Sequence, residues 1–134
     1  IMSHITKVKT VAKDLDALKL TIEKMGLEFR ENKTHYIWYG SNGAQNKCDH
    51  AIGIKGDNKS YEIGVTKVGD EYKLAFDNFD RKISKIVGND CNILMNEYTK
   101  VIALNEAIDF CNSNNYSYTE YEENGEYVIE LNQY

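Results

Sequence analysis

Proline is absent from all 134 residues. Every turn must therefore rest on residues that tolerate a left-handed backbone or bond their own main chain, which are Gly, Asn and Asp. Long hydrophobic runs are missing too. No stretch approaches the roughly 18 apolar residues of a membrane span, and Lys7 and Lys9 interrupt the N-terminal region before the apolar core of a leader can form. With 42% hydrophobic and 28% charged residues, the composition predicts a soluble, cytoplasmic, globular protein that makes no membrane contact. Met2-Ser3-His4 behind Ile1 reads as a natural start.

Cysteine is scarce: Cys48, Cys91 and Cys111 are odd in number and lack Cys-x-x-Cys spacing, which suits reduced thiols better than a disulfide framework. Arginine is nearly missing, Arg30 and Arg81 standing beside fourteen lysines, and the net charge is −5. General DNA binding is thereby disfavoured, because it requires a concentrated cationic face and planar forks for phosphate and guanine. Gly40-Ser41-Asn42-Gly43 lacks a following Gly-Lys-Ser/Thr and a helix start, so it is turn chemistry and not a phosphate loop.

Tyrosine is what the chain has in plenty, ten in all, and many alternate with polar residues. Residues 3–11 mix β-branched and polar positions and predict a strand. Asp14 offers an N-cap, and Leu15, Leu18, Ile22 and Met25 make one helical stripe that Gly26 ends. Leu27 and Phe29, a turn at Glu31-Asn32-Lys33, and Tyr36-Ile37-Trp38-Tyr39 predict a hairpin. Ala51-Ile52-Gly53-Ile54 predicts a short strand whose glycine marks a bulge or a close backbone approach. Tyr61, Ile63 and Val65, a turn at Gly69-Asp70, and Tyr72, Leu74 and Phe76 predict a second hairpin. Residues 77–92 read as an irregular link with one short helical turn.

A long helix is expected over 92–112, its inner face formed by Leu94, Tyr98, Val101, Ile102, Asn105, Ile108 and Cys111. A last hairpin follows around Asn124-Gly125, with Tyr116, Tyr118 and Glu120 before it and Tyr127, Ile129 and Leu131 after it. This helix-hairpin order echoes that of residues 14–39. The sum predicts a single α+β domain over 1–134, a two-layer sandwich with a mainly antiparallel sheet and two helices packed on one face. The second face is solvated or used for binding.

Three stretches carry a resemblance: Met2 to Thr10 with Asp14-Leu15-Asp16-Ala17-Leu18, the central Tyr61-Glu62-Ile63-Gly64-Val65, and the helix around Tyr98 leading to a final hairpin. Together they resemble the family that began as hypothetical chloroplast reading frame thirty-five, a domain of unknown function. Lys47-Cys48-Asp49-His50-Ala51-Ile52 resembles its phage and mobile-element branch. The resemblance implies a small α+β protein and transfers no catalytic residue. It also implies that the loop at 40–47 is shorter here than in some relatives.

The richest chemistry lies in residues 38–56. Zinc or another transition metal could use Cys48 and His50 with His4 or His35, the Cys-x-His spacing placing both side chains on one side of a strand, but no second ligand pair has structural-site spacing. Nucleophilic chemistry would need Cys48 or Cys91 activated by His50 or His4, without an elbow context. Glu62, Asp77 and Asp80, beside Phe76 and Phe79, could split their pKa values as an acid and base pair, although nearby acids are expected by chance among twenty-one.

Trp38, Tyr39 and Tyr61 could stack on a base while Lys47 or Lys55 meets a phosphate, unless Trp38 or Tyr36 packs in the core. Asp49 could bond nearby backbone N–H groups, and His50 could be a packed strand residue.

The favoured function is a non-enzymatic binding protein of phage or mobile-element type, with anti-defence activity by analogy. It would sequester a small nucleotide-like ligand or block a host protein, with Trp38, Tyr39, Lys47, Asp49, His50 and Tyr61 at the contact surface and no cofactor, metal or catalytic residue. The alternatives are a metal-dependent enzyme acting on nucleotides, centred on His4, Cys48, Asp49 and His50, and an adaptor subunit of a larger assembly. A homo-oligomer paired through an edge of the last hairpin is a further expectation.

Overall fold

Asp14 opens the first helix as its spacing predicts. Its Oδ1 accepts a hydrogen bond from the Ala17 N–H at 3.0 Å, satisfying one of the orphan donors of a helix start. This helix, α1 (Leu15–Lys24), follows strand β1 (Ile5–Lys7) and stops before Gly26, whose φ of +74° suits glycine. The computed structural model describes residues 5–7, 12–77 and 80–132. His4, Phe79 and most of the strand expected over 3–11 lie outside them.

Residues 1–98 and 99–134 form two compact units. The first holds a five-stranded antiparallel sheet in the order β1-β5-β4-β3-β2, with β2 at Leu27–Arg30, β3 at His50–Ile54, β4 at Ile63–Val68 and β5 at Glu71–Asp77. The Gly69-Asp70 turn joins β4 to β5 as expected, Gly69 taking a φ of +66°. β1 and β2 occupy opposite edges, so the chain through α1 crosses the sheet. α1 packs against β2 and buries Ala17, Leu18, Thr21 and Ile22.

The register divides the side chains. Phe29, His50, Ile52, Val65, Tyr72 and Leu74 belong to one face, and Arg30, Ala51, Gly64, Thr66, Lys73 and Ala75 to the other. Ile52, Ile63, Val65 and Leu74 are fully buried on the first face. The irregular link contains a short helix, α2 (Ile83–Val87), whose Ile83 and Val87 are also fully buried.

The expected strand at Tyr36-Ile37-Trp38-Tyr39 does not form. β2 pairs instead with β3, in the register Leu27↔Ile54 to Arg30↔Ala51, and residues 31–49 become a strap. The reason is non-local. Tyr36 is 1% exposed and occupies the space above Gly64, where a Cβ would collide with its ring. Tyr36 and Trp38 are thus spent on covering the second sheet face, and the echo between residues 14–39 and the C-terminal region does not extend to a second hairpin.

The second unit consists of residues 99–113 of helix α3 (Asn92–Ser113) and the hairpin of β6 (Tyr118–Glu123) and β7 (Glu126–Leu131). Asn124 and Gly125 take φ values of +54° and +79°, the pair of left-handed residues that a tight two-residue hairpin turn needs. The architecture is α+β, as the pattern of elements predicts. No helix among the described residues is long and apolar enough to cross a membrane.

Candidate functional site

The strap is clasped at both ends. Near its start, Glu62 receives the Ile37 N–H on Oε1 at 2.7 Å, and its own N–H donates to the Ile37 carbonyl at 2.9 Å. Near its end, the buried Asn46 donates from Nδ2 to the Tyr36 carbonyl at 2.9 Å and accepts the Gly43 N–H at 2.9 Å. Tyr36, Cys48 and Ala51 form a small apolar cluster, with Trp38 and Ala75 packed against it.

The clasp at Glu62 is itself anchored. Its Oε2 pairs with Nη1 of Arg30 at 2.7 Å, the Glu62 side chain is fully buried, and Arg30 also pairs with Glu28 through Nε at 2.6 Å. Nη2 of Arg30 donates to the Ile54 and Asp57 carbonyls at 3.0 and 2.7 Å. Burial works against the Arg30 charge, and the hydrogen bonds to Glu62 and Glu28 outweigh it, so the guanidinium stays above its ordinary pKa. Gly53 has no side chain because the Arg30 guanidinium lies where its Cβ would be. The close approach expected there comes from a side chain and not from backbone. Neither Arg30 nor Glu62 announces this role in sequence, since the two are brought together only by the β2-β3-β4 order.

Trp38 is half-buried, donates from Nε1 to the Ser41 carbonyl at 3.2 Å, and lies so close over Gly40 that a Cβ there would meet the indole. Tyr39 is 63% exposed. Tyr61 is half-buried just before β4. Burial raises its phenol pKa first, then the nearby Asp77, Asp80 and Tyr39, and the bonds of the next residue, Glu62, to Ile37 bring Tyr61 to the same part of the strap as Trp38 and Tyr39. Asp49 accepts the Lys67 N–H on Oδ2 at 2.7 Å, and its backbone bonds both Lys33 and Val65. His50 accepts the Asn32 N–H on Nδ1 at 3.1 Å and lies between Phe29 and Tyr72, ring centroids 5.3 and 6.2 Å away.

Cys48 and His50 do not share a side as their spacing predicts. Regular strand structure begins only at His50, so period two does not hold across Asp49. Cys48 turns to Tyr36 on the second face while His50 turns to Phe29 on the first. Burial, then the carboxylates of Glu62 and Asp49, push the Cys48 thiol up to about 11. Burial, then Asp90, pushes fully buried Cys91 up to about 12. Both are therefore held as thiols near neutral pH, the unreactive form.

Among the described residues no three His, Cys, Asp or Glu side chains converge in a way that could hold a metal ion. Of the acids considered as a pair, Glu62 is the clasp, and Asp80 accepts the Ile83 and Ser84 N–H groups at 2.7 and 3.2 Å at the start of α2. Asp77 is buried near Tyr36 and Tyr61.

Lys47 lies apart from the tyrosine pair. It is exposed beside a recess of about 290 Å3 with Gln45, Thr66 and Lys73. From Glu62 at the Tyr61 end to Thr66 is four residues along the strand direction, about 13 Å at the usual rise. The six expected contact residues thus fall into three places: Trp38, Tyr39 and Tyr61 at one end of the strap, Lys47 at the other, and Asp49 and His50 in the bonds that seat the start of β3. Lys73 and Thr66 have no signal in the sequence, because only the β4-β5 pairing Thr66↔Lys73 sets them opposite residues 44–47.

The chain is 42% identical over 76 residues to an uncharacterized protein ycf35 of Pyropia yezoensis, a match covering 57% of this chain and 56% of the relative. It therefore spans about half the length of the curated relative it matches. This similarity supports a hypothetical chloroplast reading frame thirty-five-like relationship. No family model matches the chain, and no solved structure matches it.

Proposed function

We propose that the protein is a non-enzymatic binding protein whose contact surface is the outer side of the strap, with Tyr39 and Tyr61 as a platform for a flat, nucleotide-like ligand. The observation that carries this reading is the contrast within residues 36–50. Cys48, Asp49 and His50, the residues able to do chemistry, are committed to packing or to backbone hydrogen bonds. Tyr39 instead projects, 63% exposed, from a backbone clasped on both sides. An aromatic ring on an anchored backbone has only two torsions to order on binding, and every base offers it a face.

In the phage or mobile-element setting that the Lys47–Ile52 segment resembles, such a protein would sequester a nucleotide signal or cover a host protein, an anti-defence role. The platform reading is tested by thermal unfolding with a panel of nucleoside mono- and triphosphates, with and without divalent ions. A nucleotide alone should raise the midpoint, and Tyr39→Ala should weaken that ligand by about tenfold, the scale of one lost stacking contact. If no nucleotide moves the midpoint, or if Tyr39→Ala binds as tightly as the native chain, the reading fails. A shift that requires a divalent ion would favour the metal-dependent enzyme instead.

A further inference from the structure

The recess at the far end of the strap has a lining unlike the rest of the chain. Ala44, Gln45 and Lys47 form one wall, and Thr66, Val68, Lys73, Leu74 and Ala75 form the floor and the other wall. Among the described residues two lysines face it and no carboxylate lines it, in a protein with twenty-one acids against sixteen bases. Of the acids flanking it on the same face of β5, Glu71 has its carboxylate 3.8 Å from the Lys13 ammonium and Asp77 is buried. Asp49, the acid nearest along the strap, has its Oδ2 on the Lys67 N–H. The electrostatics are thus locally cationic on an anionic molecule, and low-dielectric walls from Val68 and Ala75 strengthen that field.

We infer that the recess walled by Lys47 and Lys73 is a binding site for a small oxyanion carried on a compact apolar body, that is, a phosphate monoester or a carboxylate. The two ammonium groups supply charge-assisted hydrogen bonds, the Thr66 hydroxyl supplies a neutral donor, and the alanine and valine surfaces receive the body. A volume of about 290 Å3 lies at the lower limit of the roughly 300–1,000 Å3 of small-molecule sites, so the ligand is smaller than a whole nucleotide. The site is independent of the Tyr39 and Tyr61 platform, from which the β4 strand separates it.

The test is a titration of the full chain with phenyl phosphate, with sodium benzoate and inorganic phosphate in parallel, followed by amide chemical shifts. Saturable shifts confined to residues 44–47, Thr66 and Lys73 are expected. Lys47→Ala with Lys73→Ala should weaken them by about tenfold while the spectrum stays dispersed, and Lys73→Arg should preserve them. Stronger binding of phenyl phosphate than of benzoate would identify the oxyanion as phosphate, and the reverse as carboxylate. The inference is overturned if none of the three probes gives saturable shifts there, or if the folded double variant binds as the native chain does. Tyr39→Ala should leave the titration unchanged, and if it abolishes the shifts the recess is not a separate site.

Discussion

Gly64 lacks a side chain because Tyr36 fills the space above it. A methyl group there would meet an aromatic ring that is itself fully buried, so neither can yield cheaply. Gly64→Ala should lower stability by about 2 kcal/mol, within the usual range for overpacking, measured as a fall in the urea midpoint. The same substitution in a Tyr36→Leu background should cost much less, because a smaller, flexible side chain can move aside. Equal costs in both backgrounds would show that Gly64 answers to something other than Tyr36. This contact also explains what the sequence hid at residue level. Tyr36 and Trp38 read equally well as strand residues or as stacking surfaces, since alternation specifies two faces and not their partners. The resolving partner, Gly64, lies in another strand, and nothing within residues 36–39 refers to it. Asp14, by contrast, was legible because its partner, Ala17, is three residues away.

At the scale of elements, local chemistry was again the readable part. Gly69 and the Asn124-Gly125 pair set their hairpins through backbone conformations that few other residues adopt. Residues 36–39 read as a strand but do not pair as one, because their hydrogen bonds go to side chains and irregular backbone: Ile37 to Glu62, and Tyr36 to Asn46. The two hairpins also differ in what supports them. In β4 and β5, Ile63, Val65, Leu74 and Phe76 are buried, and the pair lies inside a five-stranded sheet. The β6-β7 pair makes a two-stranded sheet, and most of its residues are exposed. Two strands alone are marginal in water. The amides of β6 and β7 should therefore exchange with deuterium well before those of β4 and β5, as read by mass spectrometry after peptic digestion. Equal protection would show that the hairpin draws its stability from beyond its own ladder.

For the whole molecule, alkaline pH is the weak side. Tyr36 is pushed up to about 12 by burial and then by Cys48 and Asp77, Cys48 up to about 11, and Cys91 up to about 12. Each group is held neutral in the folded state beyond the pH at which it would ionise in the unfolded chain. Their contribution to stability is therefore complete below pH 9, begins to fall as the unfolded thiols ionise near 9.0, and is lost as the pH passes through the folded values of about 11 to 12. The urea midpoint should hold up to about pH 8.5 and drop steeply above it. Cys48→Ala should flatten the lower part of that drop even though its packing loss lowers the starting value. An unchanged slope would mean that Cys48 does not resist ionisation.

The strap also fixes where this architecture can vary. Its residues 36 and 46 are bonded to each other, and Ile37 and Cys48 tie the two limbs to Glu62 and to the sheet, while residues 39–45 form the loop between the limbs and carry Tyr39 at one side and a wall of the recess at the other. Closing a longer span between fixed posts costs little, since doubling a loop adds only about 0.6 kcal/mol. That segment is in effect a replaceable cartridge, whose length and lettering can be exchanged to suit a new ligand without reopening the question of how the sheet assembles.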